Sequence, residues 1–438
     1  MNSSQNLDEN KVCVVGLGYV GLTLGVALAK KGIKVFGAEK NIEIIDCLRK
    51  NKAHFSEKGL NEIIKKTIEN QTLEFGEKIP EKGNFSTYII TVGTPLDKEG
   101  SPRKDMIKSA TSEVAEKMSN GSLVILRSTV ELGSTRDVVL PILKDSGKDF
   151  DLAMCPERTL EGDAINELGK LPQIIGADSE NVAERCARLF SNLTSKTIST
   201  NNFETAEMIK LVDNTSRDLY FSFANEVAEI CNSYSIDVYE VIEKGQSEYP
   251  RTKMSFPGPV GGPCLEKDPH ILAISSEKKG FTPQIIKAGR NMNESQIDII
   301  VERLRKILEQ SKIDAPKILL CGLAFKGKPE TDDLRGSMGL DFLKKIGQKY
   351  ENLYLYDPIV TKKDLENYSQ KIIDLEKTKE KFDLVVILNN HHKFSSIEWS
   401  LYDSLLNKSG FVFDFWNSLS SFADDQKYFH LGTLHKRL

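Results

Sequence analysis

Residues 11–16, Lys-Val-Cys-Val-Val-Gly, form a short apolar run rich in β-branched side chains, and Gly16-Leu-Gly18-Tyr-Val-Gly21 follows at once. The order of strand, glycine turn and helix constrains this chain more than any other stretch. Gly16 permits a tight turn, Gly18 lets the backbone approach a pyrophosphate, and Gly21 allows the helix to pack closely on the strand. Tyr19 and Val20 open the helix, whose N-terminus faces the phosphates. Lys34 to Ala38 forms the next strand, and Glu39 ends it. A carboxylate there bonds a ribose 2′-hydroxyl and repels a 2′-phosphate, so the expected dinucleotide is NAD rather than NADP. Lys40, next to it, works against that preference.

The alternation continues. Apolar runs at 88–92, 122–126, 151–154 and 173–176 read as strands, with helical stretches at 105–118 and 179–190 between them. Such alternation predicts a doubly wound parallel sheet. From 204 to 243 the chain has few breakers and a helical period, then a breaker-rich patch at 245–269, then a helix over 283–310. Strands return at 317–322, 352–356, 382–388 and 411–414. The expected fold is therefore α/β, two Rossmann-like doubly wound domains joined by a long central helical region. The expected boundaries are a disordered leader at 1–10, then 11–203, 204–314 and 315–438.

Composition excludes several classes. A net charge of −4 over 438 residues gives no reason to expect nucleic-acid or membrane-surface binding. No apolar run reaches the ~18 residues that a membrane helix needs. The polar start lacks the apolar core of a signal peptide. Seven scattered cysteines without a CxxC fit reduced thiols and a cytoplasmic protein. No histidine clusters with cysteines or carboxylates at ligand spacing, and the adjacent His391-His392 pair does not share a helix face, so no metal is expected.

Four groups carry the chemistry. Cys264 lies in Gly261-Gly-Pro-Cys-Leu-Glu-Lys-Asp268, where glycines admit a ligand closely, Lys267 favours thiolate, and Asp268 can activate a water or hold a proton. Thr91-Val-Gly-Thr94-Pro95 and Ser128-Thr129-Val130 both follow strands, at the sheet edge where ligands bind, so Thr129 is a candidate to contact the nicotinamide or a catalytic water. Glu157 and Glu161, in the loop after another strand, are candidate bases. Lys210 and Asn214 stand one turn apart on one helix face, an ammonium and an amide suited to a developing oxyanion.

Together these motifs resemble the UDP-sugar 6-dehydrogenases, from Val12 to about Asn417. The resemblance rests on Gly16-Leu-Gly-Tyr-Val-Gly21, Ser128-Thr-Val, Pro156-Glu-Arg, Glu207-Met-Ile-Lys-Leu-Val-Asp-Asn214, Gly261-Gly-Pro-Cys-Leu-Glu-Lys-Asp268, Gly322-Leu-Ala-Phe-Lys326 and Asp332-Asp-Leu-Arg335. It implies a four-electron oxidation of a sugar C6 alcohol with two NAD, through a thiohemiacetal and a thioester on Cys264. A water near Asp268 takes the alcohol proton, Glu157 assists hydrolysis, and Lys210 and Asn214 hold the C6 oxygen. By the same resemblance Thr94, Thr129 and Lys267 join the cofactor site. Glu157, Arg158, Thr159, Leu160, Glu161, Lys210, Asn214, Gly261, Phe325, Lys326 and Arg335 line the substrate site, and Arg251 reaches across a dimer interface built by the long helix. The C-terminal domain binds UDP, and the uronic acid feeds surface polysaccharide.

The branch is mixed. Pro156-Glu-Arg158 and Tyr249-Pro-Arg251 with Pro257-Gly-Pro259 look like enzymes of UDP-N-acetylglucosamine or UDP-N-acetylmannosamine. Glu161 and Lys267 look like the UDP-glucose branch, Pro263 replaces the histidine usual before the cysteine, and the stretch 327–331 is two residues longer than expected. The expected substrate is a UDP-N-acetylhexosamine, with UDP-glucose as the alternative. A regulatory protein that lost catalysis predicts a damaged motif set, and this set is intact. A two-electron dehydrogenase does not need Cys264 in this setting.

Overall fold

The computed structural model describes residues 8–81, 83–97, 100–313, 315–368, 370–423 and 425–437. It forms two compact units, Met1–Asp213 with His270–Thr282, and Asn214–Pro269 with Pro283–Leu438. Of the expected leader, residues 1–7 lie outside the described residues, and residues 8–10 already belong to the first strand.

The first unit holds an eight-stranded sheet. Its strands are β1 (Asp8–Val15), β2 (Lys34–Ala38), β3 (Leu73–Gly76), β4 (Phe85–Ile90), β5 (Ser122–Leu126), β6 (Phe150–Met154), β7 (Gln173–Gly176) and β8 (Thr197–Thr200). The order is β3-β2-β1-β4-β5-β6-β7-β8, so it reverses between β1 and β4. The first six strands are parallel, and every residue of β4 and β5 is buried. Helices cover both faces of such a sheet, which is why these strands read as unbroken apolar runs rather than alternating ones. One expectation needs correcting. β7 pairs antiparallel to β6 through Met154 and Gly176, so the last two strands run against the rest.

The second unit carries a six-stranded sheet, all parallel. Its strands are β9 (Ile318–Cys321), β10 (Leu353–Tyr356), β11 (Lys371–Ile372), β12 (Phe382–Ile387), β13 (Leu406–Asp414) and β14 (Tyr428–His430), in the order β11-β10-β9-β12-β13-β14. Its order reverses between β9 and β12. At such a reversal the loops after the two strands diverge and leave a crevice at their carboxyl ends.

The helical stretch expected over 204–243 is two helices, Phe203–Ser233 and Val238–Gln246. The break falls in Tyr-Ser-Ile-Asp. Ser235 takes φ +57°, and Asp237 caps the second helix by accepting from the Tyr239 N–H at 2.9 Å. Ser and Asp compete locally for backbone hydrogen bonds, so they end a helix where the period of apolar residues alone does not. No described helix is long and apolar enough to cross a membrane.

Candidate active site

The glycine turn after β1 has the shape its sequence predicts. Gly16 adopts φ +93°, and a Cβ there would stand 3.1 Å from the Val92 side chain. A Cβ on Gly21 would stand 1.9 Å from the Gly16 carbonyl oxygen, whereas one on Gly18 would meet nothing within 4 Å. The turn is therefore closed at its two ends and open in the middle, which suits a ligand laid over Gly18. Tyr19 begins the helix Tyr19–Lys30.

Glu39 sits where the sequence places it, and it does more than expected. Its carboxylate accepts from the Leu17 N–H at 2.6 Å and from the Asn41 N–H at 2.8 Å, bracing the glycine turn. Lys40, the neighbour that weakened the NAD expectation, is drawn aside to Ser109 at 3.0 Å and Glu113 at 3.7 Å. A neutral residue in place of Glu39 is expected to raise the ratio of NADP to NAD efficiency at least about tenfold, on the order of one removed charge repulsion beside a phosphate. Steady-state kinetics with both cofactors checks this, and an unchanged ratio would mean the ribose lies elsewhere.

The loops after β4 and β5 are tied together. The Thr94 hydroxyl donates to the Thr129 carbonyl at 2.5 Å, and Ser128 to the Val92 carbonyl at 2.7 Å. Thr129 is half-buried beside them.

The loop after β6 carries Glu157 to Glu161, all half-buried. Glu157 accepts from the Thr159 N–H, and Lys210 Nζ stands 3.9 Å from its other oxygen. Both side chains are well enclosed, 13% and 6% exposed. Arg158 turns to Asp213 at 2.8 Å, and the Leu160 N–H donates to Glu167 at 2.6 Å. Below the loop lies Arg127, 2% exposed, donating to the Cys155 carbonyl at 3.1 Å and to Gln173 at 2.8 Å. Burial pulls its pKa down while the Glu157 charge opposes that. A guanidinium still keeps its proton there, so a fixed positive charge underlies Glu157.

The second unit holds the thiol. Among the seven cysteines Cys264 alone is exposed; Cys47 is half-buried and the rest are buried. Gly262, at φ +88°, donates its N–H to the Gly336 carbonyl at 2.8 Å, and a Cβ there would stand 2.4 Å from the Phe325 ring. A Cβ on Gly261 would stand 2.1 Å from that same Gly336 oxygen. The two glycines thus press the Cys264 turn onto the 325–336 loop, after β9, so the motif around Cys264 and the motif from Phe325 to Arg335 form one cluster. Lys326 stands over the Phe325 ring, and Arg335 is exposed and folded against Asp333 at 2.5 Å. Arg251 lies against the Tyr249 ring, on the surface.

Asp268 is 0% exposed, and both of its oxygens are engaged, one by Asn214 Nδ2 at 2.6 Å and one by Lys267 Nζ at 2.5 Å. Lys267 thus pairs with the carboxylate next to it in the chain, close in sequence to Cys264. Arg290, which the sequence reading missed, is also buried. It pairs with Asp218 at 2.6 Å and donates to the Leu265 carbonyl at 2.8 Å, steadying the residue after Cys264.

Glu330, His391 and His392 come together, their ligand atoms within 4.8 Å of one another. The adjacent histidines meet because His391 caps the helix His392–Ser395 rather than lying in it. His391 Nδ1 accepts from the Lys393 N–H at 3.1 Å, so Nε2 carries the hydrogen and donates to Glu330 at 3.2 Å. In that tautomer the ring has no lone pair left for a cation.

Comparisons with known proteins identify the family. Profiles of the UDP-glucose/GDP-mannose dehydrogenase family match in three parts: its NAD binding domain over 10–194, its central domain over 204–295 and its UDP binding domain over 319–421. A UDP-N-acetyl-D-mannosamine dehydrogenase of Campylobacter jejuni is 32% identical over 89% of this chain and 97% of its own. One from Pyrococcus horikoshii is 33% identical over 89% and 91%. The solved UDP-D-ManNAc dehydrogenase of Pyrococcus horikoshii superposes with a TM-score of 0.87 at 30% identity, over 97% of this chain and 100% of that one. A UDP-glucose dehydrogenase from Pyrobaculum islandicum, at 24% identity, over 99% of this chain and 100% of that one, and a TM-score of 0.83, shares the fold. The chain belongs to the UDP-glucose/GDP-mannose dehydrogenase family.

Proposed function

We propose that this chain oxidises UDP-N-acetylmannosamine at C6 to the uronic acid, with two NAD and a covalent intermediate on Cys264. The observation that carries the covalent step is the placement of Cys264, the one exposed thiol, on a glycine-tight turn against Phe325 and Gly336. The relatives support the sugar, since ones 32% and 33% identical are named for UDP-N-acetyl-D-mannosamine; UDP-glucose, the alternative, is not favoured by them. NAD, when bound, takes one hydride in each of the two oxidations.

The chain's own groups do the rest. Gly16, Gly18, Tyr19, Val20 and Gly21 hold the pyrophosphate, Glu39 the ribose, and Thr94, Thr129 and Lys267 the remainder of the cofactor. Lys210 and Asn214 hold the C6 oxygen as it loses its proton to a water beside Asp268. Asp268 also fixes the Asn214 amide, which is why its burial is tolerated: both oxygens have donors. The Cys264 sulfur then bonds to the aldehyde carbon while its proton passes to the oxygen, giving a thiohemiacetal. Loss of a second hydride and that proton leaves a thioester. Water adds to the thioester, Glu157 receiving its proton, and the C–S bond breaks to give carboxylate and free thiol. Lys210 stabilises the oxyanion in each step. Arg158, Thr159, Leu160 and Glu161 contact the sugar, and Gly261, Phe325, Lys326 and Arg335 the UDP.

The chain is organised as a cofactor region, a central helical region and a UDP region, near 11–203, 204–314 and 315–438. Tyr220, Phe223 and Ile230, each more than half exposed on the helix Phe203–Ser233, form an apolar stripe suited to a second copy, with Arg251 contributed across it. The free thiols fit a cytoplasmic enzyme, and its product suits surface polysaccharide.

A panel of UDP-N-acetylmannosamine, UDP-N-acetylglucosamine, UDP-N-acetylgalactosamine and UDP-glucose, followed by NADH release, tests the substrate. The highest kcat/KM is expected for UDP-N-acetylmannosamine. A higher value for UDP-glucose would overturn the assignment.

A further inference from the structure

Glu57 is a buried carboxylate, 9% exposed, in a stretch that none of the motifs above includes. Its three hydrogen bonds come from two separate segments of the first unit. The Tyr19 hydroxyl donates to Oε2 at 2.5 Å, the Gly162 N–H to the same oxygen at 3.0 Å, and the Ile165 N–H to Oε1 at 3.3 Å. The Gly162 N–H is shared with the Tyr19 oxygen, at 2.8 Å. The three groups close a triangle. One corner is the first helical residue after the glycine turn, one is Glu57, and one is Gly162, near the end of the loop that carries Glu157.

Each corner is held by its own chemistry. Tyr19 packs on Phe55, ring centroids 4.7 Å apart. Burial pushes the phenol pKa up and the Glu57 hydrogen bond adds to that, so the hydroxyl keeps its proton and remains a donor. Gly162 adopts φ +89°, a conformation that glycine takes without strain, and so turns its N–H toward the pair. A carboxylate only accepts, and here it meets three neutral donors. Glutamine would place an NH2 against at least one of them.

We propose that Glu57 is a positioning residue that couples the cofactor turn to the loop carrying Glu157. The inference rests on the reading that NAD phosphates lie on Gly16 to Gly21. The turn that takes the phosphates also sets where the Tyr19 side chain begins. Fixing that turn fixes the hydroxyl, and through Glu57 it fixes the Gly162 N–H and the end of the loop. Cofactor binding by itself therefore orders the Glu157 loop.

Amide hydrogen exchange with NAD alone tests this without any turnover. In the native protein NAD is expected to slow exchange in the 155–165 segment at least about fivefold, along with the segment around 16–21. In Glu57→Gln and in Glu57→Ala the 16–21 protection is expected to persist while the 155–165 protection falls to within about twofold of the free protein. The proposal is overturned by a native 155–165 segment indifferent to NAD, by variants that keep its full protection, or by loss of the 16–21 protection in both variants, which would make Glu57 part of the cofactor site itself. A native protein that shows the coupling yet turns over no UDP-sugar would refute the proposed reaction and leave this inference standing.

Discussion

Replacing Cys264 by alanine is expected to lower uronate formation at least about 10⁴-fold, because a nucleophile removed from a covalent sequence leaves only binding and orientation behind. The loss should fall on chemistry alone. Cys264 is exposed on a turn whose packing is made by Gly261, Gly262 and Phe325, so a methyl group in place of the thiol disturbs little. NAD affinity is expected to stay within about twofold, an ordinary margin for a substitution that leaves the turn intact. Rates by NADH absorbance, uronate by mass and cofactor affinity by fluorescence separate these effects. An alanine variant that still makes uronate within tenfold of the native rate is incompatible with a covalent path.

Replacing Lys210 by methionine is expected to lower kcat about 10²–10³-fold, the usual loss when one buried oxyanion donor is removed. The effect on KM should be small. Burial decides the size. Lys210 is 5% exposed and faces Glu157 at 3.9 Å in an enclosed loop, whereas Lys244 and Glu240, on the surface, form a pair that solvent screens. Removing Lys210 also leaves Glu157 with one fewer counter-charge, although Arg127 still lies beneath the loop. The variant should therefore fold, with a modest fall in melting temperature. Kinetics in which only KM changes would assign Lys210 to substrate binding instead.

Much of this was legible in the residues because strand, glycine turn and helix leave local signatures. β2, β5 and β7 lie where their apolar runs place them. Short edge strands were missed. β3, β8 and β14 mix polar residues into four residues or fewer, too little for a period to register. The antiparallel turn of β7 was also invisible, since strand direction depends on the path of a connection rather than on composition. The site divides in the same way. The turn at Gly16 to Gly21 and the Lys210 to Asn214 spacing are local, and both are found as read. Partners distant in sequence were not foreseeable. Nothing near Asp268 says that Asn214, 54 residues away, occupies one of its oxygens, and nothing near Glu57 says that it meets Tyr19 and Gly162, 38 and 105 residues away. The one available signal for Glu57 was its setting, an acidic residue at a turn just before the helix Leu60–Glu69, inside a unit built to bind a dinucleotide.

The most direct measurement is the mass of the Cys264 peptide from protein quenched in acid during turnover with NAD and UDP-N-acetylmannosamine. A covalent path predicts a sugar-nucleotide acyl group on Cys264, released by hydroxylamine, alongside two NADH for each uronate. Two NADH for each uronate with an unmodified Cys264 peptide throughout turnover would contradict it.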